Sequence, residues 1–497
     1  MIGFVVKAPV STDFKVSTKP LTLSIHMHID NSIVFKDNWE VFKKAAELTN
    51  ITLKGTASVS ASDSTEVFNI MMASGRLSDI ICTTRVNFTK FGKQGAFKPL
   101  ESYMKYAPNF KAFLVANPDV KKYITAADGH IYFIPTLSEA FATSGWFIRQ
   151  DWLDKLKLPV PKTLAQYHDT LKAFVNDDPN GNGKKDEIGF MSRSIGGISN
   201  LYPLWDAHTD SLNNDMYVDK KGKVKFGPME PAYKDAMINL AQWYKDGLID
   251  KEIFTRGSSA RNVLLANNTL GATHDLFGST SKLNYTVKNI PGLKLYVMAP
   301  PASKSGGVQE ATKRSRFTGN GWGMAYSNKN PIETMKYFDF FYSNEGKTLM
   351  NFGIEGKTYT MVKGVPKFTD EFKAKSGIPE LNDMGAEVGI GYDQDFTAEQ
   401  QLLLTDISNT GIDMYRKNNY FATQYPLLDF TDSQERVIET KMAAIDTCTF
   451  ENSQKWILGG ESVQTGWDDY IKTLKKLGID DVIKVHQNAY FKYSTKK

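Results

Sequence analysis

Cysteine is almost absent from this chain of 497 residues: Cys82 and Cys448 are the only two, far apart in sequence. That excludes a disulfide framework and any thiolate metal motif. The spacing leaves pairing in an oxidising compartment open, and two free thiols are the expectation. The seven histidines are scattered and show no zinc spacing. No run of about 18 apolar residues occurs, so no segment reads as a membrane span. The opening stretch Met1–Lys7 has neither a charged n-region nor a long apolar core and is not a complete signal peptide. Residues 7–20 are rich in Ser, Thr, Lys and Pro and read as a tether, as in an exported protein whose signal has been removed. A strong charge of one sign is lacking too. A net +5 spread over the whole length gives no case for nucleic-acid binding. Arginine is scarce, ten of the 60 basic residues, so each one is conspicuous. No nucleophile motif, zinc motif or glycine-rich phosphate loop appears.

What is present is ordinary globular composition with an aromatic surplus. Hydrophobic residues make up 41% and charged residues 23%, as in a soluble globular protein. Aromatics reach 12%, enough to furnish cores and sugar-stacking platforms alike. The length exceeds what one hydrophobic core supports, so two or more domains are expected. Leu21–His28 alternates and reads as a strand, followed by a helix over 38–48 with Trp39, Phe42 and Ala45 on one face. A strand at Ile51–Gly55, a helix at Ser64–Ser74 ending on Gly75, and a buried strand at Asp79–Cys82 follow. Gly145–Arg149 reads as a strand and Gln150–Leu156 as a helix. Residues 231–247 read as an amphipathic helix with Met237, Leu240, Trp243 and Tyr244 inward. This alternation is α/β and implies a parallel sheet covered by helices, with ligand bound beyond the carboxyl ends of strands. His28 to Ser32 and Thr83 to Asn87 fall on that side.

One segment carries specific chemistry. Residues 177–187 read Asp-Asp-Pro-Asn-Gly-Asn-Gly-Lys-Lys-Asp-Glu. Counting from Asp178, side-chain oxygens fall at Asp178, Asn180, Asn182, Asp186 and Glu187, and Lys184 can offer its carbonyl. Calcium is a hard cation that takes six to eight oxygens from alternating residues of a tight loop. Gly181 and Gly183 permit the left-handed backbone such a loop needs. The start Asp-x-Asn-x-Asn-Gly matches the standard calcium loop. The bidentate Glu of that loop belongs at Gly189 here, so Glu187 takes its role. A plain polar turn after a helix is the alternative reading. The expectation is a structural calcium ion with no paired second loop.

Leu23–His28, Asn69–Gly75, Asp128–Pro135, the loop above, Gln242–Asp250 and Gly321–Trp322 together resemble extracellular solute-binding proteins of ABC importers. Within them the chain is similar to the calcium-bearing subgroup for acidic oligosaccharides, alginate fragments and unsaturated glycosaminoglycan disaccharides. The resemblance implies a two-lobed α/β periplasmic-binding-protein (Venus flytrap) fold with a hinge and an interlobe cleft. The expected division is a tether at 1–20, a first lobe at 21–140 and about 322–385, and a second at 141–321 and about 386–497. It implies no enzyme, a monomer delivering sugar to membrane permease subunits, and a periplasmic or membrane-anchored location. Alginate-binding relatives place tryptophans in blocks that here read Thr273–Ser279 and Gly391–Asp395, where Leu276 and Asp393 align with them. That shift favours glycosaminoglycan disaccharides over alginate or a neutral oligosaccharide.

A sugar site needs aromatic faces and polar groups that fix hydroxyls and carboxylates. Trp146, Trp205 and Trp322 are the aromatic candidates, joined by Tyr392 from the altered block. Arginine forks match carboxylate and sulfate, so Arg85 and Arg193, each after a strand-like segment, are the cationic candidates. His28, Asp30 and Asn31 lie just past the first strand; His208, Asp275 and Asn320 complete the hydroxyl ligands. Ordinary core packing competes for each Trp, and a solvated surface role for each Arg. Two rival classes remain: a secreted glycoside hydrolase, for which Glu139, Asp206, Asp275 and Asp395 are the spare carboxylates, and a calcium-dependent surface carbohydrate adhesin.

Overall fold

The computed structural model describes residues 14–139, 144–192, 195–210, 214–257, 259–287, 289–311, 314–374 and 378–495. The chain divides into two compact units, Met1–Ala140 with Ser315–Leu403, and Phe141–Arg314 with Leu404–Lys497. The strands in chain order are β1 (Leu21–Ile29), β2 (Ile33–Val34), β3 (Ile51–Gly55), β4 (Ile80–Thr84), β5 (Ile134–Leu137), β6 (Ser144–Arg149) and β7 (Ile188–Phe190). They continue as β8 (Met216–Val218), β9 (Val224–Phe226), β10 (Leu270–Leu276), β11 (Leu295–Met298), β12 (Phe317–Met324), β13 (Tyr359–Val362) and β14 (Val365–Phe368). The chain re-enters the first unit at Ser315 rather than near 322, because β12 is a strand of that unit's sheet. It leaves after Leu403 rather than near 385, because residues 392–394 bond to Leu137 and Gln401 bonds to Phe368.

The first unit holds one sheet, ordered β2-β1-β4-β12-β5 with β3 on the free side of β1. β1 runs parallel to β3 and β4, and β12 antiparallel to β4 and β5. Every residue of β1 from Ile25 to Ile29 is buried, so both faces are covered, as parallel sheets require. One covering helix, Glu40–Thr49, ends on Asn50 in the left-handed region. Another, Ser64–Ser74, starts on Asp63, whose carboxylate accepts from Thr65 and Glu66 N–H at 2.8 and 2.9 Å and so satisfies two orphan donors. Gly75 closes that helix with a left-handed turn. Trp322 stands at the centre of the core, stacked on Phe338 at 4.5 Å and edge-on to Phe341 at 5.3 Å. Asp339 ties distant sequence together: its carboxylate accepts from Phe110 N–H at 2.7 Å and from Asn109 at 2.8 Å, capping the helix Pro108–Ala116.

The second unit holds the sheet β11-β6-β10-β7. β10 is antiparallel to β6 and parallel to β7. Gly271 lets β10 approach the covering helix Leu164–Asn176, since a Cβ there would run into the Phe174 ring. Arg149 is buried over the Trp152 ring, its fork on Asp151 at 2.8 and 2.6 Å. The helices Asp432–Ile457, Val463–Leu477 and Ile479–Thr495 form an outer layer. An aromatic cluster of Trp456, Trp467, Tyr470 and Tyr233 joins them to the helix Pro231–Lys245. Cys82 and Cys448 are free. Among the described residues no helix is long and apolar enough to cross a membrane.

Candidate functional site

The acidic loop joins the end of the helix Leu164–Asn176 to β7 and is closed on its own hydrogen bonds. Asp178, with φ of 46°, accepts from the N–H groups of Gly181 at 2.8 Å, Asn182 at 3.1 Å and Gly183 at 3.0 Å. These bonds hold its carboxyl below the usual aspartate range despite an opposing desolvation. The side-chain carbonyl of Asn180 accepts from Asn182 N–H at 2.9 Å, and that of Asn182 from Lys184 N–H at 2.7 Å. Their amide groups donate to Asp186 at 2.9 to 3.2 Å. Glu187 differs. It is buried, and neither carboxylate oxygen has a partner. Desolvation pushes its pKa above the ordinary value and repulsion from Asp186 and Asp178 adds to this, against an opposing pull from the backbone N–H groups of Glu187 and Asn180. Among the described residues no three His, Cys, Asp or Glu side chains converge closely enough to hold a metal unaided. A hard cation would therefore draw on the two Asn side chains and a backbone carbonyl as well. The donor set is all oxygen, and the unpartnered Glu187 carboxylate is the group that fits a cation best.

In the first unit, the carboxyl ends of β1 and β4, the start of β12 and the end of β5 meet along one edge of the sheet, since Asn320 faces Thr84 and Phe317 faces Leu137. His28 reaches this edge, but both its ring nitrogens are engaged, with Ser64 Oγ at 2.8 Å and the Ala61 carbonyl at 2.9 Å. Asn31 is clamped to Ser64 through two bonds of 2.9 Å. Both groups therefore shape the edge. Asp30 is exposed beside them, with φ of 51°. Arg85 follows β4 directly. Its Nε donates to the Tyr123 carbonyl at 2.9 Å, and its guanidinium lies 5.0 Å over the Tyr123 ring. The same ring stacks on Phe317 at 4.1 Å. Asn320 is partly exposed on β12 along the same edge. Arg85, Asn320 and the β1 residues are thus placed along one edge, together with Tyr123 and Phe317, which carry no sequence signal beyond aromaticity.

Trp322 and Tyr392 belong elsewhere. Trp322 is fully buried in the core just described, because β12 is a central strand. Tyr392 is buried, its hydroxyl donating to Glu387 at 3.1 Å.

In the second unit, a recess of about 530 Å³ opens between the start of the helix Leu164–Asn176, the helix Pro231–Lys245 and residues 303–304. Its walls include Trp205, Trp243, His168, Gln242 and Lys304. Trp205 meets Trp243 edge-on at 5.1 Å, and His168 sits 5.5 Å from Trp243. Trp205 lines the recess but is itself buried. Trp243 does so too, although helix periodicity placed it in the core; it is buried and still lines the wall. Trp146 is buried between Tyr167 and His274 and exposes no face. Asp275 is buried in an ion pair with Arg261 at 2.7 Å that Thr280 also joins. His208 is exposed and stacks on Tyr217 at 4.2 Å. Arg193 lies outside the described residues.

The model of the bacterial extracellular solute-binding protein family matches residues 32–348. The chain belongs to this family. The fructooligosaccharide ABC transporter substrate-binding protein FusA of Streptococcus pneumoniae serotype 4 is 28% identical over 475 residues, covering 88% of this chain and 84% of FusA. The polygalacturonan/rhamnogalacturonan-binding protein YtcQ of Bacillus subtilis is 27% identical over 209 residues, 41% of this chain and 40% of YtcQ. Among solved structures, the alginate-binding protein AlgQ2 without calcium ion superposes with a TM-score of 0.78 at 38% identity, covering 97% of this chain and all of that one. The mixed α/β fold is that of solute-binding proteins of ABC importers. Membership makes the chain a solute-binding protein and not an enzyme, which removes the glycoside hydrolase reading.

Proposed function

We propose that the chain captures acidic, uronate-containing oligosaccharides, unsaturated glycosaminoglycan disaccharides first among them, outside the cytoplasmic membrane. It hands them unchanged to the permease subunits of an ABC importer. The observation that carries this reading is Arg85, a guanidinium laid over Tyr123 at the ligand edge of the first sheet. A planar fork fixed on an aromatic face is pre-organised for a carboxylate. Similarity to alginate-binding AlgQ2 over nearly the whole chain, and to a polygalacturonan-binding protein over part of it, supports an anionic sugar. The recess beside Trp205 and Trp243 is also lined by His168, Gln242 and Lys304, polar groups of the kind that fix sugar hydroxyls.

The loop at 178–187 would hold calcium through Asp178, Asn180, Asn182, the Lys184 carbonyl, Asp186 and Glu187. Each Asn carries a carbonyl beside the amide that now donates to Asp186, so a half-turn exchanges a donor for an acceptor. A bound divalent cation would offset two of the three carboxylate charges and partner the orphaned Glu187 oxygens. The loop follows the end of the helix Leu164–Asn176 whose start walls the recess, so an ion there would act as a structural clip.

Calorimetric titration with an unsaturated uronate disaccharide, and separately with sucrose and maltose, tests the ligand class. Binding of the first alone is expected; equal affinity for acidic and neutral sugars would overturn it.

A further inference from the structure

Arg316 and Lys347 flank the ring of Phe113 from two different stretches of chain, at 5.8 and 5.3 Å. Arg316 immediately precedes β12, and its carbonyl accepts from Ser138 N–H, so it sits on the same sheet edge as Arg85. Its guanidinium carries one hydrogen bond under 3 Å, to the neutral side chain of Asn117 at 2.9 Å. The carboxylates near it are more distant: Asp119 at 3.5 Å and Asp393 at 3.8 Å. Lys347 is closer to Asp393, at 3.2 Å. Asp393 is itself fixed by the backbone, where Leu137 N–H meets the Tyr392 carbonyl and Gln394 N–H meets that of Leu137. Arg316 and Lys347 remain 26% and 34% exposed. A guanidinium whose one short hydrogen bond goes to a neutral amide, with its carboxylate contacts no closer than 3.5 Å, is oriented without being neutralised at close range. That is the condition of a pre-formed anion site.

The two arginines are also spaced by structure. Arg85 bonds the carbonyl of Tyr123, near the end of the helix Pro118–Ile124, while Arg316 bonds Asn117 and approaches Asp119 at its start. A seven-residue helix is about 10 Å long, a separation a disaccharide can bridge.

We infer that Arg316 and Lys347, with Phe113 as floor, form a second anion subsite that takes a sulfate ester on the ligand, with Asp393 as its built-in counter-ion. This rests on the acidic-disaccharide reading above. The counter-ion solves a physical problem. Two cations left unpaired in a partly desolvated site are costly when the ligand is absent or unsulfated. Asp393 keeps them compensated through a hydrogen bond of 3.2 Å to Lys347 and a longer contact of 3.8 Å to Arg316, and at the second a sulfate oxygen can displace it. It stands in the block where alginate-binding relatives carry a tryptophan, which fits a platform exchanged for charge control.

Two unsaturated chondroitin disaccharides that differ only by one sulfate, titrated into the full chain by calorimetry, test this. The wild type should prefer the sulfated form by tenfold or more. Arg316→Ala should erase that preference while leaving the unsulfated affinity within about twofold. Lys347→Met serves as a second variant should Arg316→Ala melt early. Asp393→Asn should tighten the sulfated ligand and steepen its salt dependence, since the internal competitor is gone. A purely structural ion pair predicts the reverse, a lower melting temperature with no gain in affinity. Acidic disaccharides that bind wild type and Arg316→Ala with the same sulfate preference would overturn the subsite and leave the function standing. Failure of the wild type to bind either disaccharide would overturn both.

Discussion

The Lys155 ammonium donates to the backbone carbonyl of Pro179 at 2.8 Å, from a neighbouring helix into the acidic loop. It stands so close that a Cβ on Gly181 would lie 2.7 Å from it. This charge pins the loop but does not reach Glu187, whose two oxygens stay unpartnered. Calcium should therefore add stability rather than create the fold. A ligand bound only by the folded state contributes about 2.7 kcal/mol at a hundredfold excess over Kd. Chelation should lower the melting temperature, and a variant carrying Asp178→Ala and Asp186→Ala should no longer respond. An unchanged melting curve, with metal loss verified by elemental analysis, would remove calcium from the account. The sign with pH is also fixed. Burial raises the Glu187 pKa in the folded state, so the metal-free protein should lose stability as pH rises above the ordinary carboxylate value. The calcium increment should grow over the same range.

Glu387 supplies a second pH signature. It adopts φ of 53°, accepts from Tyr392 and Gln394, and is pushed up to about 8, chiefly by burial. A carboxyl with a raised folded pKa contributes most below its unfolded value, and that contribution is lost as pH rises through the folded one. Thermal stability should therefore decline between about pH 4.5 and 8 through this group. Glu387→Gln, which keeps the shape, should flatten that decline and be the more stable protein at pH 9. Melting curves at pH 6 and pH 9 for both chains check it; parallel behaviour would rule it out.

Local pattern made much of this legible. The helix ending on Gly75 and the strand at Ile51–Gly55 have the bounds the sequence implies, because capping and periodicity are encoded within a few residues. The acidic loop is readable for the same reason. Trp322 misleads because its neighbours suggest a loop-edge strand, while only the sheet order shows β12 in the middle, under Phe338. No sequence signal marks Arg316, although arginines are few. Its meaning comes from Phe113 and Asn117, some 200 residues away, and no spacing rule carries such a contact. The long C-terminal helices escaped as well.

The tryptophans should separate by phenotype. Trp322→Ala empties the middle of a packed core, and such truncations typically cost about 3–5 kcal/mol. It should lower the denaturant midpoint strongly. Trp205→Phe, at the wall of the recess, keeps an aromatic ring at a buried position and should cost less stability than Trp322→Ala while weakening sugar binding. Denaturation midpoints and titrations on the same preparations tell the two roles apart. A Trp205→Phe protein with wild-type affinity would take the recess out of the ligand site.

Arg85 offers the sharpest comparison, because two substitutions divide its properties. Arg85→Ala removes charge, fork and stacking together. It should weaken an unsaturated uronate disaccharide at least tenfold, the equivalent of about 1.4 kcal/mol. Arg85→Lys keeps the charge but loses the planar fork and the flat contact with Tyr123. If the guanidinium acts by bidentate recognition on an aromatic support, Lys should recover little of the loss. If it acts only as a point charge, Lys should restore most of it, and the salt dependence of binding should return to the wild-type slope. Neither change should alter the melting temperature by more than a few degrees, since Arg85 is partly exposed. Wild-type affinity in Arg85→Ala, with the fold intact, would show that the carboxylate is held elsewhere and would remove the observation that carries the acidic-ligand reading.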